Sequence, residues 1–418
     1  MPSYIIEGGK KLEGEIKVSG SKNASLPILA SCILNGGTTK LYNIPNISDT
    51  KITQEILKFL GCKIKKDNVK IEVNSKNINK KEIPEYLMHQ MRSTVILAGA
   101  LIGRFKEARF SYPGGCDIGA RPIDLHLKSF KKLGINISEE GGFIVCKCDK
   151  IVGANIDLDF PSVGATENII LASVFAQGVT SITNAAMEPE IIDLANCLNK
   201  MGARISGAGT NVIEITGVKK LNSISYTVMP DRIEAGTLLC MVAGTGGCVK
   251  LNNVQPMNIS PILNKLRECG CKIEENDNTV VLEAPKKLKA VDITTMPYPG
   301  FPTDMQSVFS SMLTTAKGTS MIVENIFENR YRYIPELKKM GAKAKIEGRT
   351  AVITGVRKLT ASKVKSTDLR GGAGLVTAGL MARGKTTVTD IDYILRGYEN
   401  LDTKLKKLGA CIYKEEGE

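Results

Sequence analysis

A short pattern recurs six times along the chain, at a spacing of 68 to 73 residues. Each copy closes a basic, amphipathic helical stretch with a glycine, which is how an exposed helix commonly ends. Self-similarity of this kind outweighs any local assignment of structure, because each copy must fold in the same way. The chain is therefore predicted to be a sixfold repeat. The closing glycines are Gly61, Gly134, Gly202, Gly270, Gly341 and Gly409.

A second landmark has the same period. Apolar helices rich in small residues are predicted ahead of the amphipathic ones, and a helix that is apolar on all sides is typical of a buried position. Alternating apolar and polar residues predict strands after the amphipathic helices, as at 212–216 (VIEIT) and 279–283 (TVVLE). Each repeat should contain about two helices and three or four strands, which defines an α/β protein. The buried helices are predicted to begin near Lys22, Arg92, Ser162, Asp231, Asp304 and Asp368.

The amino-terminal segment carries a pattern that the last repeat lacks. Three internal segments carry a strand, a basic turn ending in leucine and a second strand, and the amino-terminal IIEGGKKLEGEIKVSG carries the same pattern. The sixth repeat stops at YKEEGE without one. We therefore expect residues 1–21 to complete the sixth repeat. One domain is then continuous over 22–229, and the other combines 1–21 with 230–418, with a hinge between them.

The charge balance of the chain favours an anionic partner. Its 418 residues carry a formal net charge of +13. Basic and acidic residues are interspersed and only 5% of residues are aromatic, so nucleic acid is not predicted as a partner. No apolar signal region opens the chain, and the longest apolar stretch, 95–103, is too short to span a bilayer, so no membrane insertion is predicted. Eleven cysteines fit a reducing compartment, and we expect a cytoplasmic protein.

The starts of the predicted buried helices are the expected binding surface. A helix start offers free N–H groups and partial positive charge, so it attracts anions. Lys22, Arg92 and Arg370 add cations there, although cations oppose the helix dipole, which favours a binding role for them. Ser162 and Asp231 are interpreted as simple N-caps. Three helix starts from each domain are expected to converge on a phosphate-binding cleft between the domains.

The candidate catalytic groups are few. His89 and His126 are the only histidines, and neither has the context of a Ser/His or Cys/His pair, so proton transfer should fall to Asp, Glu, Cys or Lys. Cys116 follows two glycines in PGGCDIGARPIDLHL, residues 113–127, and precedes Arg121 by five residues. The glycines and the arginine favour a reactive thiol on a mobile loop over a packing cysteine. No metal site is predicted, because the two C-x-C pairs lack further ligands at zinc spacing.

The segments GSKNASLPIL, PGGCDIGARPIDLHL, PSVGAT, PGFPTDMQ, FENRY, TDLR and DYILRGYE carry a resemblance to a known family. They resemble the signature segments of the UDP-N-acetylglucosamine enolpyruvyl transferases, and the similarity is colinear from residue 1 to 418. The resemblance implies a two-domain inside-out α/β barrel with six repeats of βαβαββ type, three in each domain. The related 5-enolpyruvylshikimate-3-phosphate synthases share this architecture but lack the cysteine loop.

The resemblance also implies a reaction. The enolpyruvyl group of phosphoenolpyruvate is transferred to the 3′-hydroxyl of UDP-N-acetylglucosamine with release of phosphate, and this step opens peptidoglycan precursor synthesis. No cofactor is implied. By the match, Cys116 is similar to the general acid, which is also the target of the epoxide fosfomycin. Asp304 is similar to the group that accepts the hydroxyl proton.

The resemblance further implies ligands for both substrates. Lys22, Arg121 and Arg396 match phosphate ligands, and Lys22 and Arg396 are counted with the catalytic group. Arg330 and Arg370 match residues that hold the carboxylate or the reaction intermediate. Contacts to the nucleotide sugar are matched by Asn23, Arg92, Arg121, Pro122, Ile123, Asp124, Leu125, Ser162, Val163, Gly164 and the backbone at Ile326.

Three alternatives stay open on the sequence alone. A polyanion-binding module would use the net charge, but no stacking motif or basic stripe is visible. A purely structural repeat protein would leave the charged helix starts unexplained. A shikimate-pathway synthase would be identified by its acceptance of shikimate 3-phosphate. The sequence does not determine the oligomeric state.

Overall fold

Six four-stranded sheets organise the part of the chain that the computed structural model describes, residues 2–114, 119 and 123–416. These residues divide into two units. The first unit contains residues 20–114 and 123–229, and the second contains residues 2–19 and 230–416. Each unit holds three of the sheets. The predicted fold class, an α/β protein of six repeats with three in each half, is confirmed.

The first unit contains three consecutive repeats. The chain begins in the second unit with β1 (Ser3–Glu7) and β2 (Glu13–Lys17) before it enters the first. A 3-10 turn over Arg92–Val95 precedes α4. The elements of the first unit are α1 (Lys22–Ser31), β3 (Thr38–Tyr42), α2 (Ser48–Leu60), β4 (Lys63–Lys66), β5 (Lys70–Asn74), β6 (Glu82–Ile83), α3 (Glu85–Met88), α4 (Ile96–Phe105), β7 (Glu107–Ser111), α5 (Asp124–Lys132), β8 (Asn136–Glu140), β9 (Phe143–Lys147), β10 (Asn155–Asp157), α6 (Val163–Ser173), β11 (Val179–Thr183), α7 (Pro189–Met201), β12 (Arg204–Ser206), β13 (Val212–Thr216) and β14 (Ser225–Thr227).

The second unit continues in the same way. Short 3-10 turns over Pro256–Ile259 and Thr303–Met305 precede α9 and α10. Its remaining elements are α8 (Arg232–Thr245), β15 (Cys248–Asn252), α9 (Ser260–Glu268), β16 (Lys272–Asn276), β17 (Thr279–Glu283), β18 (Ile293–Thr294), α10 (Gln306–Leu313), β19 (Thr319–Val323), α11 (Ile334–Lys339), β20 (Lys343–Glu347), β21 (Thr350–Thr354), β22 (Lys363–Lys365), α12 (Leu369–Met381), β23 (Lys385–Thr389), α13 (Asp392–Leu395), α14 (Leu401–Lys407) and β24 (Cys411–Glu415).

Each sheet is built by one βαβαββ scheme. The first strand of a repeat pairs in parallel with the second, the fourth pairs antiparallel with the second, and the third lies at the edge, as in the order β6-β7-β9-β8. A parallel pair requires a crossover connection, and in four of the sheets the crossover is the buried helix, whereas β14 and β2 join their sheets from distant parts of the chain. The exposed helix of the repeat then ends at a closing glycine. All six closing glycines have positive φ, from 81° at Gly134 to 111° at Gly61, as a left-handed helix cap requires.

Strands far apart in the sequence close the two units. β14, at the end of the first unit, pairs in parallel with β3 near its beginning. β1 pairs with β23 and β24, so it completes the sixth repeat as predicted. The prediction is wrong for β2, which pairs in parallel with β15 and provides the first strand of the fourth repeat. β1 and β2 belong to one local pattern, so the sequence alone did not separate their partners.

The helices that begin at the predicted polar positions form the interior of each unit. In the first unit α4 packs on α1 and α6, and in the second α8, α10 and α12 pack on one another. Nearly all residues of these helices are buried. The strands around them bury only alternate residues, as in β13 and β15. Helices inside and sheets outside are the inside-out arrangement that the resemblance implied.

Asp193 ties the closing strand of the first unit to a helix. It lies on α7 and is largely buried, and its Oδ1 accepts a hydrogen bond of 2.7 Å from the Tyr226 hydroxyl. Its Oδ2 accepts one of 3.1 Å from the Met229 N–H. Burial raises the pKa of Asp193 to about 6, and Glu190 adds to the rise, although the bonds from Tyr226 and Met229 oppose it.

The raised pKa of Asp193 predicts a pH dependence of stability. The ordinary value is 3.8, so between about pH 4 and pH 6 the folded carboxyl keeps a proton that the unfolded one has lost, and the free energy of unfolding falls as pH rises. We expect Asp193→Asn to remove this slope, with a pH-independent offset for its altered hydrogen bonds. Urea unfolding at pH 4, 5, 6 and 7 measures both proteins. Parallel curves for the wild type and the variant would contradict the assignment.

Candidate active site

The first unit carries the predicted nucleotide-sugar contacts at the starts of its helices. Arg92 begins the 3-10 turn before α4, and the other residues lie in or just before the first turns of α1, α5 and α6. Cys116, Arg121 and Pro122 lie outside the described residues, and their roles stay predictions. Lys22, a predicted phosphate ligand, is the first residue of α1. The described nucleotide-sugar contacts of this unit are Asn23, Arg92, Ile123, Asp124, Leu125, Ser162, Val163 and Gly164.

Two helix starts are capped as the sequence predicted. The Ser162 hydroxyl accepts a hydrogen bond of 3.3 Å from the Ala165 N–H, so it caps α6. Asp231 Oδ1 accepts bonds of 2.8 Å and 2.9 Å from the N–H groups of Ile233 and Glu234, so it caps α8. Both residues satisfy backbone donors that a helix leaves unpaired in its first turn.

Lys22 is held by an acidic residue that the sequence analysis did not identify. Its Nζ lies 2.7 Å from Asp49 Oδ2, and the Asp49 side chain is almost fully buried. Asp49 lies in the first turn of α2, so the start of one helix pairs with the start of the next. A buried charge is costly without a partner. The pair therefore fixes the Lys22 ammonium at the start of α1, where an anion would also be attracted.

Asp304, Arg330 and Arg370 form the central cluster of the second unit. Asp304 Oδ1 accepts a hydrogen bond of 2.8 Å from Arg330 Nη2. Its Oδ2 accepts bonds of 3.2 Å and 3.0 Å from Arg370 Nε and Nη2. Both arginines are buried, whereas about a quarter of the Asp304 side chain is exposed. The three predicted residues thus place one carboxylate between two guanidiniums.

The charges around this cluster are mutually stabilising. Burial lowers the pKa of the Arg330 guanidinium, but the carboxylates of Asp304, Asp368 and Glu324 outweigh it, so the pKa lies above its ordinary value. Burial likewise lowers the pKa of Arg370, and Tyr398 and Asp304 raise it further than burial lowers it. Both guanidiniums therefore stay charged in a buried place. They form a preorganised site for a carboxylate or a phosphate.

Glu324 supports the turn that carries Asp304. Its Oε1 accepts hydrogen bonds of 2.9 Å from Thr295 Oγ1, 2.9 Å from the Ile326 N–H and 3.2 Å from the Phe327 N–H. Its Oε2 accepts one of 2.9 Å from Thr303 Oγ1, directly before Asp304 in the chain. The Ile326 N–H is therefore engaged inside the protein. If the predicted backbone contact to the sugar is made, we expect the Ile326 carbonyl to make it.

Arg396 directly follows α13 and is half-buried. Two residues further on, Tyr398 is buried with its ring centroid 5.2 Å from Arg370 Cζ. Its hydroxyl lies 3.0 Å from Thr237 Oγ1. Burial raises the pKa of Tyr398 more than Arg370 lowers it, so the phenol stays neutral beside the guanidinium. The Tyr398 ring therefore lies against the guanidinium of Arg370.

Asp49, Glu324 and Tyr398 were missed as site residues. Asp49 meets Lys22, and Glu324 meets Thr295 and Thr303, through tertiary packing, although the bonds from Ile326 and Phe327 to Glu324 are local. Tyr398 lies inside DYILRGYE, one of the segments that carried the resemblance. Its place beside Arg370 could have been suspected from that segment, whereas the other two had no signal.

Membrane-spanning helices and metal-binding clusters were both searched for among the described residues. Within it, no helix is both long and apolar enough to cross a lipid bilayer. Among the same residues, no three His, Cys, Asp or Glu side chains are grouped so that they could hold a metal ion.

Comparison with known proteins identifies the class to which this fold and cluster belong. The chain belongs to the EPSP synthase (3-phosphoshikimate 1-carboxyvinyltransferase) family, whose model matches residues 6–405. Within the family, it is 51% identical over 415 residues to UDP-N-acetylglucosamine 1-carboxyvinyltransferase 2 of Caldanaerobacter subterraneus, a match that covers 99% of this chain and 100% of that protein. It is 47% identical to the Clostridium botulinum UDP-N-acetylglucosamine 1-carboxyvinyltransferase, with coverage of 99% and 100%.

Solved structures share the fold over its whole length. The enolpyruvyl transferase NikO from Streptomyces tendae matches with a TM-score of 0.88 at 24% identity, covering 99% of each chain. The EPSP synthase from Acinetobacter baumannii matches with a TM-score of 0.77 at 17% identity, covering 100% of each chain. At this identity the likeness concerns the fold alone.

The Glu324 network predicts a difference between two substitutions. Glu324→Ala leaves the Ile326 and Phe327 amides and two threonine hydroxyls without their acceptor, and it should lower the free energy of unfolding by about 2–4 kcal/mol. Glu324→Gln keeps a carbonyl oxygen for the amides and should lose less than half as much. Urea unfolding measures both, with exposed Glu347→Ala as the control. Equal losses for Ala and Gln would show that the oxygen contacts do not support this turn.

Proposed function

We propose that this protein transfers the enolpyruvyl group of phosphoenolpyruvate to the 3′-hydroxyl of UDP-N-acetylglucosamine and releases phosphate. The observation that carries the proposal is the full-length identity of about one half to relatives named for this activity. The product would open the synthesis of peptidoglycan precursors. The cluster of Asp304 with two buried arginines supplies the groups that such a reaction needs.

The reaction is an addition followed by an elimination. The 3′-oxygen forms a bond to C2 of phosphoenolpyruvate and loses its proton, while C3 gains a proton and becomes a methyl group. The tetrahedral intermediate then breaks its C2–O bond to phosphate and returns a proton from C3, which restores the double bond. Asp304 is proposed to accept the hydroxyl proton and Cys116 to protonate C3. Both are placed in these roles by the family resemblance.

The two arginines give Asp304 a second role in this proposal. A carboxylate that accepts hydrogen bonds from two guanidiniums is strongly stabilised as an anion and is a poor base. The substrate carboxylate, proposed to bind Arg330 and Arg370, would compete with Asp304 for the same donors. Competition would release lone pairs of Asp304 and make it a better proton acceptor when the substrate is bound.

The remaining groups are assigned by charge and by position. Lys22 at the start of α1 and Arg396 after α13 are proposed to bind the phosphate of phosphoenolpyruvate, together with Arg121. Separate cations give a preorganised field for a substrate with two anionic ends. Contacts to the nucleotide sugar are proposed for Asn23, Arg92, Arg121, Pro122, Ile123, Asp124, Leu125, Ser162, Val163, Gly164 and Ile326.

Two further statements are part of this proposal. The domains are proposed to be 22–229 and 1–21 with 230–418, close to the bounds of the two units. The protein is proposed to work in the cytoplasm. The cysteines of the described residues are all free, which suits a reducing compartment.

A shikimate-pathway synthase is the second candidate function, since the family whose model matches this chain is described as 3-phosphoshikimate 1-carboxyvinyltransferase.

The proposed function is tested by measuring phosphate release from phosphoenolpyruvate. We expect release only when UDP-N-acetylglucosamine is present, none with shikimate 3-phosphate, and a large loss in Cys116→Ser. Release with shikimate 3-phosphate alone would favour the second candidate. The absence of release with either acceptor would leave the fold without this activity and would favour a polyanion-binding module.

The role of Asp304 is tested by Asp304→Asn. The amide keeps the shape of the side chain but cannot accept the hydroxyl proton, so kcat should fall by about 100-fold or more. Because the variant no longer competes for Arg330 and Arg370 as an anion, the KM for phosphoenolpyruvate should not rise. Steady-state kinetics measure both, with exposed Asp277→Asn as the control. Turnover within threefold of the wild type would contradict the role of Asp304 as base.

A further inference from the structure

His126 is buried yet has no role in the proposed reaction. It lies on α5, directly after the segment of Ile123 to Leu125 that is proposed to contact the nucleotide sugar. Its Nδ1 lies 2.7 Å from Nδ2 of Asn168, a fully buried residue of α6. A buried polar pair of this kind fixes the elements that carry it, because neither group can exchange its partner for water.

The orientation of Asn168 follows from its backbone partners. The Gly99 N–H donates to Asn168 Oδ1 at 2.8 Å, and an N–H can only donate, so the oxygen must face Gly99. The nitrogen then faces the Val95 carbonyl at 3.0 Å, which can only accept. Both backbone groups lie on or next to α4, the first in the helix and the second at the end of the turn that Arg92 begins. The amide therefore cannot be flipped without losing both bonds.

The amide in turn selects the tautomer of His126. Asn168 Nδ2 offers a hydrogen to Nδ1, so Nδ1 must carry a lone pair and the proton of the neutral ring must lie on Nε2. The Nε2 edge of the ring lies against the first turn of α6, where a Cβ added to Gly164 would be 3.5 Å from Nε2 and 3.3 Å from Cε1. The absence of a side chain at Gly164 gives the ring its place.

We infer that His126, locked by Asn168 in the Nε2–H form, is a positioning residue for the nucleotide-sugar site. The pair joins three segments that carry predicted contacts: the turn that begins at Arg92, the start of α5 and the start of α6. The turn that begins at Arg92 and the start of α5 lie at opposite ends of one repeat, and the start of α6 lies in the next repeat. Their backbones are not paired in a common sheet. His126 and Asn168 set their spacing without touching the substrate. This inference rests on the proposed function for the identity of the ligand.

The Nδ1 acceptor and the Nε2–H donor of the His126 ring can be tested separately. His126→Asn keeps an acceptor near the position of Nδ1 and removes the Nε2–H, whereas His126→Gln places an amide near Nε2 and removes the acceptor for Asn168. His89, which is exposed, provides the matched control as His89→Gln. Isothermal titration with UDP-N-acetylglucosamine and steady-state kinetics are measured for each variant, and urea unfolding reports on the fold.

We expect His126→Ala to weaken binding of UDP-N-acetylglucosamine by about tenfold, since small displacements of positioned groups have large effects. The KM for phosphoenolpyruvate and the kcat at saturating sugar should stay within threefold. His126→Asn should recover most of the lost affinity, and His89→Gln should not change it. Wild-type affinity in His126→Ala, or an equal change in the kinetic constants for both substrates, would overturn the inference.

The tautomer is tested without any ligand. With only two histidines in the chain, nitrogen-15 spectra of the imidazoles at pH 8 can be assigned by comparison with His89→Gln. The pattern of a neutral Nε2–H ring is expected for His126, and Asn168→Ala should abolish this preference. An Nδ1–H pattern would overturn the inference even if the enzyme is active. A wild type that does not bind the sugar nucleotide, but shows the expected spectrum, would reject the proposed function and the positioning role together while leaving the Asn168 contact intact.

Discussion

Each sheet of this protein depends on a parallel strand pair, and in four of the six sheets a helix buried inside the unit connects the two strands. A single repeat cannot cover such a helix, since its own sheet lies on only one side of it. Three repeats together can, and each unit therefore needs a closed set of three. Closure uses strands from distant parts of the chain, because β14 returns to β3 and β2 crosses to β15. The strands β2 and β14, which close the two units, therefore lie directly before residues 19 and 230, where the chain passes from one unit to the other.

Burial of these helices also explains where the chemistry lies. A helix that is apolar along its length can carry charged residues only at its ends, and the first turn has unpaired N–H groups that attract anions. Lys22, Arg92 and Arg370 all lie in such first turns or in the 3-10 turn that leads to one. The repeat places equivalent starts in each unit. Arg330, between β19 and α11, and Arg396, after α13, lie outside these turns, so the helix starts account for only part of the candidate site.

The sequence predicted the parts of this structure that repeat. The positive φ of the closing glycines and the strand at 212–216 were foreseeable because each follows from a local pattern that recurs. The partner of β2 was not, because β1 and β2 share one pattern and only the sheets distinguish them. The same holds for the site. The charged residues at helix starts were predicted, but Asp49, which pairs with Lys22, and Glu324, which bonds Thr303 before Asp304, were not, since no spacing in the sequence joins these pairs.

The pairing of the charged residues decides how selective such a site can be. A buried guanidinium or ammonium without a counter-charge is costly, so a site made of bare cations would destabilise the fold. Here Asp49 holds Lys22, and Asp304 holds both Arg330 and Arg370. An incoming anion must therefore compete with an internal carboxylate, and a singly placed anion gains little from doing so. Within the second unit, Arg330 and Arg370 converge on one carboxylate, so an anion that replaces Asp304 must match both guanidiniums at once. The internal carboxylate thus favours an anion that can accept hydrogen bonds from both arginines over the simple anions that a basic protein would otherwise bind.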